Sequence, residues 1–228
     1  MKNISPGTLY LILTSLFITS LVTSNLIFQK FFQWNAFGLY TFELSVGIIA
    51  YPITFLITDI ISEIFGKKAA SKVVLAGLFA SAFALLIIVV STGATATEWS
   101  PISDSEFKKV FGFTFIAVGA SLAAYLLAQL IDVHIFHFFK KITKGKHLWI
   151  RNNFSTFTSQ MVDTATVLAL LCSFDVLPWD SFWLLFLNGY LFKFLFALLD
   201  TPIIYLIVNL LRRYYNLHEK TAEVELKW

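Results

Sequence analysis

The sequence predicts an all-α polytopic membrane protein with about six transmembrane helices and both termini in the cytoplasm. Three observations carry this prediction: the composition, the length of the apolar stretches and the distribution of basic residues. Of the 228 residues, 57% are hydrophobic and 17% are aromatic, whereas only 14% are charged. Because soluble domains carry roughly 25% charged residues, lipid is the expected solvent of this chain.

Six apolar stretches are long enough to be spans, since about 20 helical residues cross the roughly 30 Å of hydrocarbon in a bilayer. The first lacks a convincing cleavage site and is interpreted as a retained span rather than a signal peptide. The Thr92–Val110 segment is predicted to be an external loop or lid, and residues 1–228 are treated as one integral membrane domain. The predicted spans are Thr8–Phe28, Phe42–Phe65, Ala69–Ser91, Phe111–Ile131, Phe154–Phe174 and Ser181–Leu211.

The basic residues are divided unequally between the two sides of these spans. Thirteen of the 17 Lys and Arg residues fall on the side of the termini, three fall on the other side, and Lys193 lies within a span. Cytoplasmic loops are enriched in Lys and Arg, so both termini are expected inside. The basic cluster from Lys140 to Arg151 is accordingly a topology signal, and no nucleic-acid partner is expected.

Polar residues inside the first two spans are the first candidates for a site. An ionisable group near the bilayer centre costs on the order of 3 kcal/mol, so it needs a partner, a water-filled cavity or a ligand. Asp59 and Glu63 lie one turn apart on one helix face. Glu63 could equally pair with Lys67 near the headgroups, and Asn25 in the first span could equally make a helix–helix hydrogen bond.

The fifth and sixth spans carry the strongest polar signal. Thr156, Gln160 and Asp163 form one stripe along the fifth span, with Asp163 roughly 13 Å deep at 1.5 Å per residue. Lys193 lies near the middle of the sixth span, and its expected partner is either Asp163 or Asp200. A pair of Asp163 with Lys193 that only holds the helices together is the alternative to a functional site. The Pro202 that follows Asp200 removes an intrahelical hydrogen bond and is expected to kink this long helix.

Several of these residues belong to longer motifs, and the chain resembles the queuosine precursor transporters of bacterial inner membranes from about Asn25 to Tyr205. The most specific motif begins before the fifth span and continues into it. The matching segments are Tyr51-Pro52, Thr58-Asp59-Ile60-Ile61-Ser62-Glu63-Ile64-Phe65-Gly66, Gln129-Leu130-Ile131-Asp132, Arg151-Asn152-Asn153-Phe154-Ser155-Thr156, Ser159-Gln160-Met161-Val162-Asp163-Thr164, Lys193 and Asp200-Thr201-Pro202.

The resemblance implies uptake of 7-cyano-7-deazaguanine, and of its 7-aminomethyl relative, for making the queuosine base of transfer RNA. Such a base offers N–H donors that a carboxylate accepts, an oxygen acceptor and a flat face that suits aromatic walls. We expect Asp163 or Glu63 to bind the guanidine-like edge and Gln160 to orient it. Acceptors on the base would meet Lys193, Arg151 or Asn152, although Arg151 could also be only a positive-inside residue.

The residues leave alternative functions open. A secondary transporter, driven by protons through Asp59, Glu63 or Asp163, is favoured. A substrate-binding subunit of an energy-coupling-factor vitamin importer is the alternative, and it would need ATPase partners. An enzyme is not expected, because the histidines of the Asp132–His137 segment are better explained as interfacial residues and no catalytic motif is present. No cofactor or metal is implied, and a homo-oligomer is allowed.

Overall fold

The structure, a computed structural model, describes residues 4–36, 38–142, 148–217, 224 and 226. Two short 3₁₀ turns, Val46–Ile49 and Trp179–Ser181, precede two of the helices. The remaining elements are α1 (Pro6–Ile27), β1 (Phe31–Ala36), β2 (Tyr40–Ser45), α2 (Tyr51–Phe65), α3 (Lys67–Gly93), α4 (Asp104–Phe111), α5 (Thr114–Ile142), α6 (Leu148–Ser173) and α7 (Phe182–Tyr214).

Five helical segments among the described residues are long and apolar enough to cross a membrane, which supports a multi-pass membrane protein. The fifth predicted span corresponds to α6, which has 26 residues but is not among these five. Its threonine, serine, glutamine and aspartate side chains lower its mean hydropathy, so a sixth span remains a prediction. The five segments are Pro6–Ile27, Val46–Phe65, Lys68–Gly93, Asp104–Ala128 and Trp179–Tyr214.

The structure is otherwise helical, as expected of an all-α membrane protein, but a β-hairpin that was not predicted replaces the start of the second predicted span. β1 and β2 pair antiparallel, with Trp34 opposite Phe42 and Gln33 opposite Glu43. Alternating aromatic and polar residues favour strands, because successive side chains point to opposite faces. The Asn35 side chain accepts a hydrogen bond from the Gly38 backbone N–H at 2.9 Å, and Gly38 has the positive φ (74°) that this turn requires.

The segment predicted as an external loop or lid, Thr92–Val110, contains a short helix in its second half. α4 begins with a capping box, in which the Ser103 hydroxyl accepts from the Glu106 N–H and the Glu106 carboxylate accepts from the Ser103 N–H. Such reciprocal capping satisfies backbone donors that would otherwise be unpaired and can start a helix of only eight residues.

The chain divides into two compact units, of which the first contains residues 1–28, 46–84 and 196–228. Its core consists of apolar side chains from α1, α2, α3 and α7, including the fully buried Ile61 and Ile64. α1 and α3 approach closely, since a Cβ on Gly77 would lie 2.6 Å from the Phe17 ring. The Tyr10 hydroxyl donates to the Ala69 carbonyl at 3.1 Å. Small residues at such crossings allow helices to pack in lipid.

The second unit contains residues 29–45 and 85–195, and therefore the hairpin, the end of α3, α4, α5, α6 and the first part of α7. α5 and α6 form its most extensive helix pair. One face of α5 is buried through small residues at helical spacing, which include Ala117, Ala120 and Ala124. α7 runs without interruption through Pro202. The candidate site lies where α6 meets the first part of α7.

Candidate functional site

Two members of the polar stripe predicted on the fifth span, Gln160 and Asp163, are buried on α6 together with the neighbouring Thr164. Gln160, Asp163 and Thr164 are 3%, 6% and 7% exposed. The helix places them on adjoining positions of one side, because residues three and four apart are neighbours on a helix surface. Burial at this level is unusual for carboxylate and amide side chains, which are mostly exposed in proteins. The stripe therefore needs partners inside the protein.

Lys193 on α7 supplies the charged partner of this stripe. Its Nζ donates one hydrogen bond to Asp163 Oδ2 and another to Thr164 Oγ1, each at 2.9 Å. The Thr164 hydroxyl in turn donates to the Gln160 backbone carbonyl at 2.8 Å. Of the two partners expected for Lys193, Asp163 is thus in contact with it. The hydroxyl is oriented as an acceptor for the ammonium group because its own proton is already engaged.

The ion pair is well shielded from solvent, with side-chain exposures of 10% for Lys193 and 8% for Asp163. Two opposite charges attract far more strongly in such surroundings than in water, but each has also lost its hydration. Asp163 and Lys193 can therefore separate only if a ligand or water replaces the hydrogen bond between them. A ligand with N–H donors can replace Lys193 at Asp163 without leaving the carboxylate unpaired.

Gln160 offers a further acceptor next to this pair. Its side-chain Oε1 is buried and has no hydrogen-bond partner among the described residues. Leaving such a group unpaired costs about 1–3 kcal/mol. The α6 stripe thus presents a carboxylate and an amide oxygen, both of which accept from N–H donors.

Aromatic rings adjoin the ion pair along α6 and α7. Phe157 and Phe194 pack with ring centroids 4.4 Å apart and join the two helices. Tyr190 follows Phe186 on α7 in a stacked arrangement with centroids 6.1 Å apart. Tyr190 lies three residues before Lys193, so one face of α7 carries both rings and a cation. Such rings are chemically suited to stack on a planar ligand.

The candidate residues of the first unit have a different environment. The Glu63 carboxylate lies 3.9 Å from Arg212 Nη1 and its side chain is 40% exposed, so it has a structural partner other than the expected Lys67. The Lys67 side chain lies outside the described part of the structure. Asp59 lies half-buried one turn before Glu63.

For the remaining candidates the structure gives mainly the degree of burial. Asn25 on α1 is half-buried, and its Nδ2 is buried without a hydrogen-bond partner among the described residues. Asp200 on α7 and Thr156 on α6 are also half-buried. The side chains of Arg151 and Asn152 lie outside those that the structure describes, so their roles remain predictions. Within the described ranges, no group of three or more His, Cys, Asp or Glu side chains could hold a metal ion.

Two residues of the second unit were missed as candidates by the sequence reasoning. Thr164 binds Lys193 directly, although it had been noted only as part of a motif. Asn188 is fully buried on α7, where its Oδ1 accepts a 2.7 Å hydrogen bond from the Tyr40 hydroxyl. The signal for Asn188 was available in the sequence, because it is an isolated amide in an apolar run.

Charged and amide groups held between apolar helices are characteristic of polytopic membrane transporters. The comparisons with known proteins agree with this class: the chain belongs to the family described as "Putative vitamin uptake transporter", which matches residues 45–207. No solved structure matches the chain.

Curated relatives of this chain are named as transporters. The "Probable queuosine precursor transporter" of Bacillus subtilis is 28% identical over 168 residues, which are 73% of this chain and 72% of the relative. A protein of the same name from Haemophilus influenzae is 28% identical over 76% of this chain and 72% of its own length. The "Queuosine precursor transporter" of Escherichia coli is 28% identical over 54% of this chain and 52% of its own length.

Proposed function

We propose that this protein imports queuosine precursors, 7-cyano-7-deazaguanine and 7-aminomethyl-7-deazaguanine, as a secondary carrier. The observation that carries the proposal is the buried pair of Asp163 and Lys193 between α6 and α7. The family match and the names of the three relatives support the same cargo. The proposed location is the bacterial inner membrane, with both termini in the cytoplasm, because most Lys and Arg residues fall on that side.

The chemistry of the cargo fits the groups on α6 and α7. The guanidine-like edge of a 7-deazaguanine carries N–H donors, which Asp163 and the open Gln160 Oε1 can accept. The neighbouring ring oxygen is an acceptor that suits the Lys193 ammonium. Binding would exchange the direct Asp163–Lys193 bond for two bonds to the ligand, so that both charges stay paired. The Phe157, Tyr190 and Phe194 rings offer planar contacts.

This exchange also suggests how transport is coupled to an ion gradient. When the base leaves, Asp163 must recover Lys193 or take up a proton, because an unpaired buried carboxylate is strongly disfavoured. A proton that reaches Asp163 from one side and leaves on the other would drive accumulation. We therefore propose proton coupling through Asp163, with Asp59 as the acidic candidate of the first unit.

The direct experiment measures uptake of labelled 7-cyano-7-deazaguanine by cells that lack their own synthesis and import of this base. Cells that produce this chain alone should accumulate the base, and a proton uncoupler should abolish accumulation. Accumulation that persists with an uncoupler would overturn proton coupling but not import. Absence of uptake with the protein present in the membrane would contradict a self-sufficient carrier and favour a subunit that needs an ATPase partner.

A further inference from the structure

The β1–β2 hairpin has two faces with different surroundings. Opposite residues of an antiparallel pair point to the same face, so Trp34 and Phe42 share one face, whereas Gln33 and Glu43 share the other. The first face packs on α7, where the Trp34 ring meets Phe192 edge to face with centroids 5.9 Å apart. The hairpin is thus held to α7 by its aromatic face, and its polar pair lies on the opposite face.

An open cavity, named here the hairpin cavity, lies at the open end of the hairpin beside this polar pair. Its volume of about 350 Å³ is within the range of small-molecule sites. The lining residues come from both strands, from the connection between α6 and α7 and from the first part of α7, and all belong to the second unit. They are Phe31, Phe32, Gln33, Glu43, Leu177, Ser181 and Leu185.

The hairpin cavity is distinct from the Asp163–Lys193 pair. Leu185 on its wall lies about 12 Å before Lys193 along the axis of α7, at 1.5 Å per residue. The segments that form the cavity connect α1 to α2 and α6 to α7, and both connections lie on the outer side in the topology proposed above. A solute that arrives from outside would therefore meet this cavity before it reaches the ion pair.

Glu43 carries the only charge among the seven lining residues that the structure describes. Its Oε1 accepts a hydrogen bond from Gln33 Nε2 at 3.1 Å, which orients the carboxylate and leaves its second oxygen available to a ligand. An anionic ligand would meet a like charge in this cavity. An ammonium group would instead form a charge-assisted hydrogen bond, which is stronger than a bond between neutral groups.

Apolar side chains supply the rest of the lining. Leu177 and Leu185 contribute aliphatic surface, and Phe31 and Phe32 contribute aromatic surface. A flat heteroaromatic ring packs well on such surfaces, and a cation next to an aromatic ring gains a further attraction. The hairpin cavity therefore combines the features that suit a planar base with a positively charged amine.

We propose that the hairpin cavity is an entry site, in which the Glu43 carboxylate binds the protonated amine of 7-aminomethyl-7-deazaguanine before the base reaches the Asp163–Lys193 pair. The proposal rests on the transport of 7-deazaguanines proposed above, and it adds a residue that distinguishes the two precursors. The 7-cyano group carries no positive charge, so Glu43 favours the aminomethyl base over the cyano base.

Uptake kinetics with both precursors test the role of Glu43. Glu43→Gln keeps the size of the side chain but removes its charge, so the KM for the aminomethyl base should rise about tenfold with Vmax little changed. The KM for the cyano base should stay within about twofold, because that base lacks the amine. Glu98→Gln is the matched control, because it removes an exposed carboxylate that does not line the cavity, and both KM values should stay unchanged.

The two substrates separate failure of this proposal from failure of the proposed function. If the wild-type chain imports both bases and Glu43→Gln changes their KM values equally or not at all, the entry site is overturned and the function stands. A rise in Glu98→Gln as large as in Glu43→Gln would also overturn it, because general surface charge would then explain the effect. If the wild-type chain imports neither base, the proposed function fails, and the role of Glu43 in uptake fails with it.

The reactivity of an introduced cysteine measures the charge preference of the hairpin cavity without transport. The native cysteine is removed by Cys172→Ala, and Ser181→Cys places a thiol on the cavity wall. Relative to a free thiol in solution, a cationic methanethiosulfonate should react about fivefold faster than an anionic one, and Glu43→Gln should abolish this preference. Equal relative rates in the Ser181→Cys protein would overturn the cation preference, even if Glu43→Gln does not reach the membrane.

Discussion

The two units each contain an ion pair between helices, and the pairs differ in distance and in exposure. In the second unit, Lys193 and Asp163 meet at 2.9 Å with about a tenth of each side chain exposed. In the first unit, Arg212 and Glu63 are 3.9 Å apart, and Glu63 is 40% exposed. Both acidic residues were candidates on the same grounds, namely a carboxylate in an apolar span.

The two pairs differ in the free energy that is lost when their charges are removed from water. An exposed pair such as Glu63–Arg212 contributes about 0–1 kcal/mol, and it can form wherever opposite charges meet near the headgroups. A buried pair rarely stabilises a protein better than apolar residues of similar size would. The Asp163–Lys193 pair therefore needs a reason beyond stability, and the ligand recognition proposed above would provide one.

Removal of the lysine charge should give the largest effect. Lys193→Met leaves Asp163 buried without its ammonium partner, so we expect uptake to fall by at least about a hundredfold and stability by about 3–5 kcal/mol. Uptake and the amount of protein in the membrane are measured together. The double variant Asp163→Asn/Lys193→Met should recover the protein level but not uptake. Recovery of uptake would show that the pair is only structural.

Removal of the Thr164 hydroxyl should have an intermediate effect. Thr164→Val keeps the shape but deletes the acceptor of the second Lys193 hydrogen bond, which is worth about 1.5–3 kcal/mol for a charged donor. Uptake per molecule should fall about tenfold or more. Thr164→Ser retains the hydroxyl and is the control, so equal losses in the two variants would argue against a role for the hydrogen bond.

A packing change in the first unit should affect stability rather than uptake per molecule. In Gly77→Ala the new Cβ would lie 2.6 Å from Phe17, so α1 and α3 must separate slightly at a cost of about 1–3 kcal/mol. The melting temperature of the purified protein should fall. Gly93→Ala is the matched control on the same helix, because its Cβ would meet nothing within 4 Å. Similar melting temperatures for both variants would contradict the close crossing.

Loss of the exposed pair should have the smallest effect. Glu63→Gln removes a contact worth at most about 1 kcal/mol, so uptake should stay within about twofold of the wild-type rate. Uptake by Glu63→Gln is measured in parallel with uptake by Asp163→Asn, and the two rates are compared. A loss as large as that of Asp163→Asn would place Glu63 in the substrate site.

Much of the membrane architecture could be predicted from the sequence because long apolar stretches leave few alternatives to helices in lipid. The same reasoning failed at the hairpin. The run from Phe42 to Phe65 is apolar enough for a span, yet Tyr40, Phe42 and Leu44 alternate with polar neighbours. An alternation of apolar and polar residues over so few positions is a weaker signal than the high mean hydropathy of the whole run. The strand also forms only by pairing with β1, which lies outside the run.

The candidate site was predicted in part for a similar reason. Helical spacing brought Gln160 and Asp163 onto one side of α6, and the rarity of an intramembrane lysine singled out Lys193. The choice between Asp163 and Asp200 as its partner required the packing of α7 on α6, which spacing within one helix does not determine. The contact of Asn188 with Tyr40 could not be predicted, because the two residues lie 148 positions apart in the sequence.

Binding of labelled 7-cyano-7-deazaguanine to the purified protein tests the central claim most directly, because it requires neither an energy source nor partner proteins. We expect saturable binding to the wild-type chain, which unlabelled base displaces, and no measurable binding to the folded double variant Asp163→Asn/Lys193→Met. Binding of equal affinity to the double variant would contradict the claim that the buried pair recognises the base.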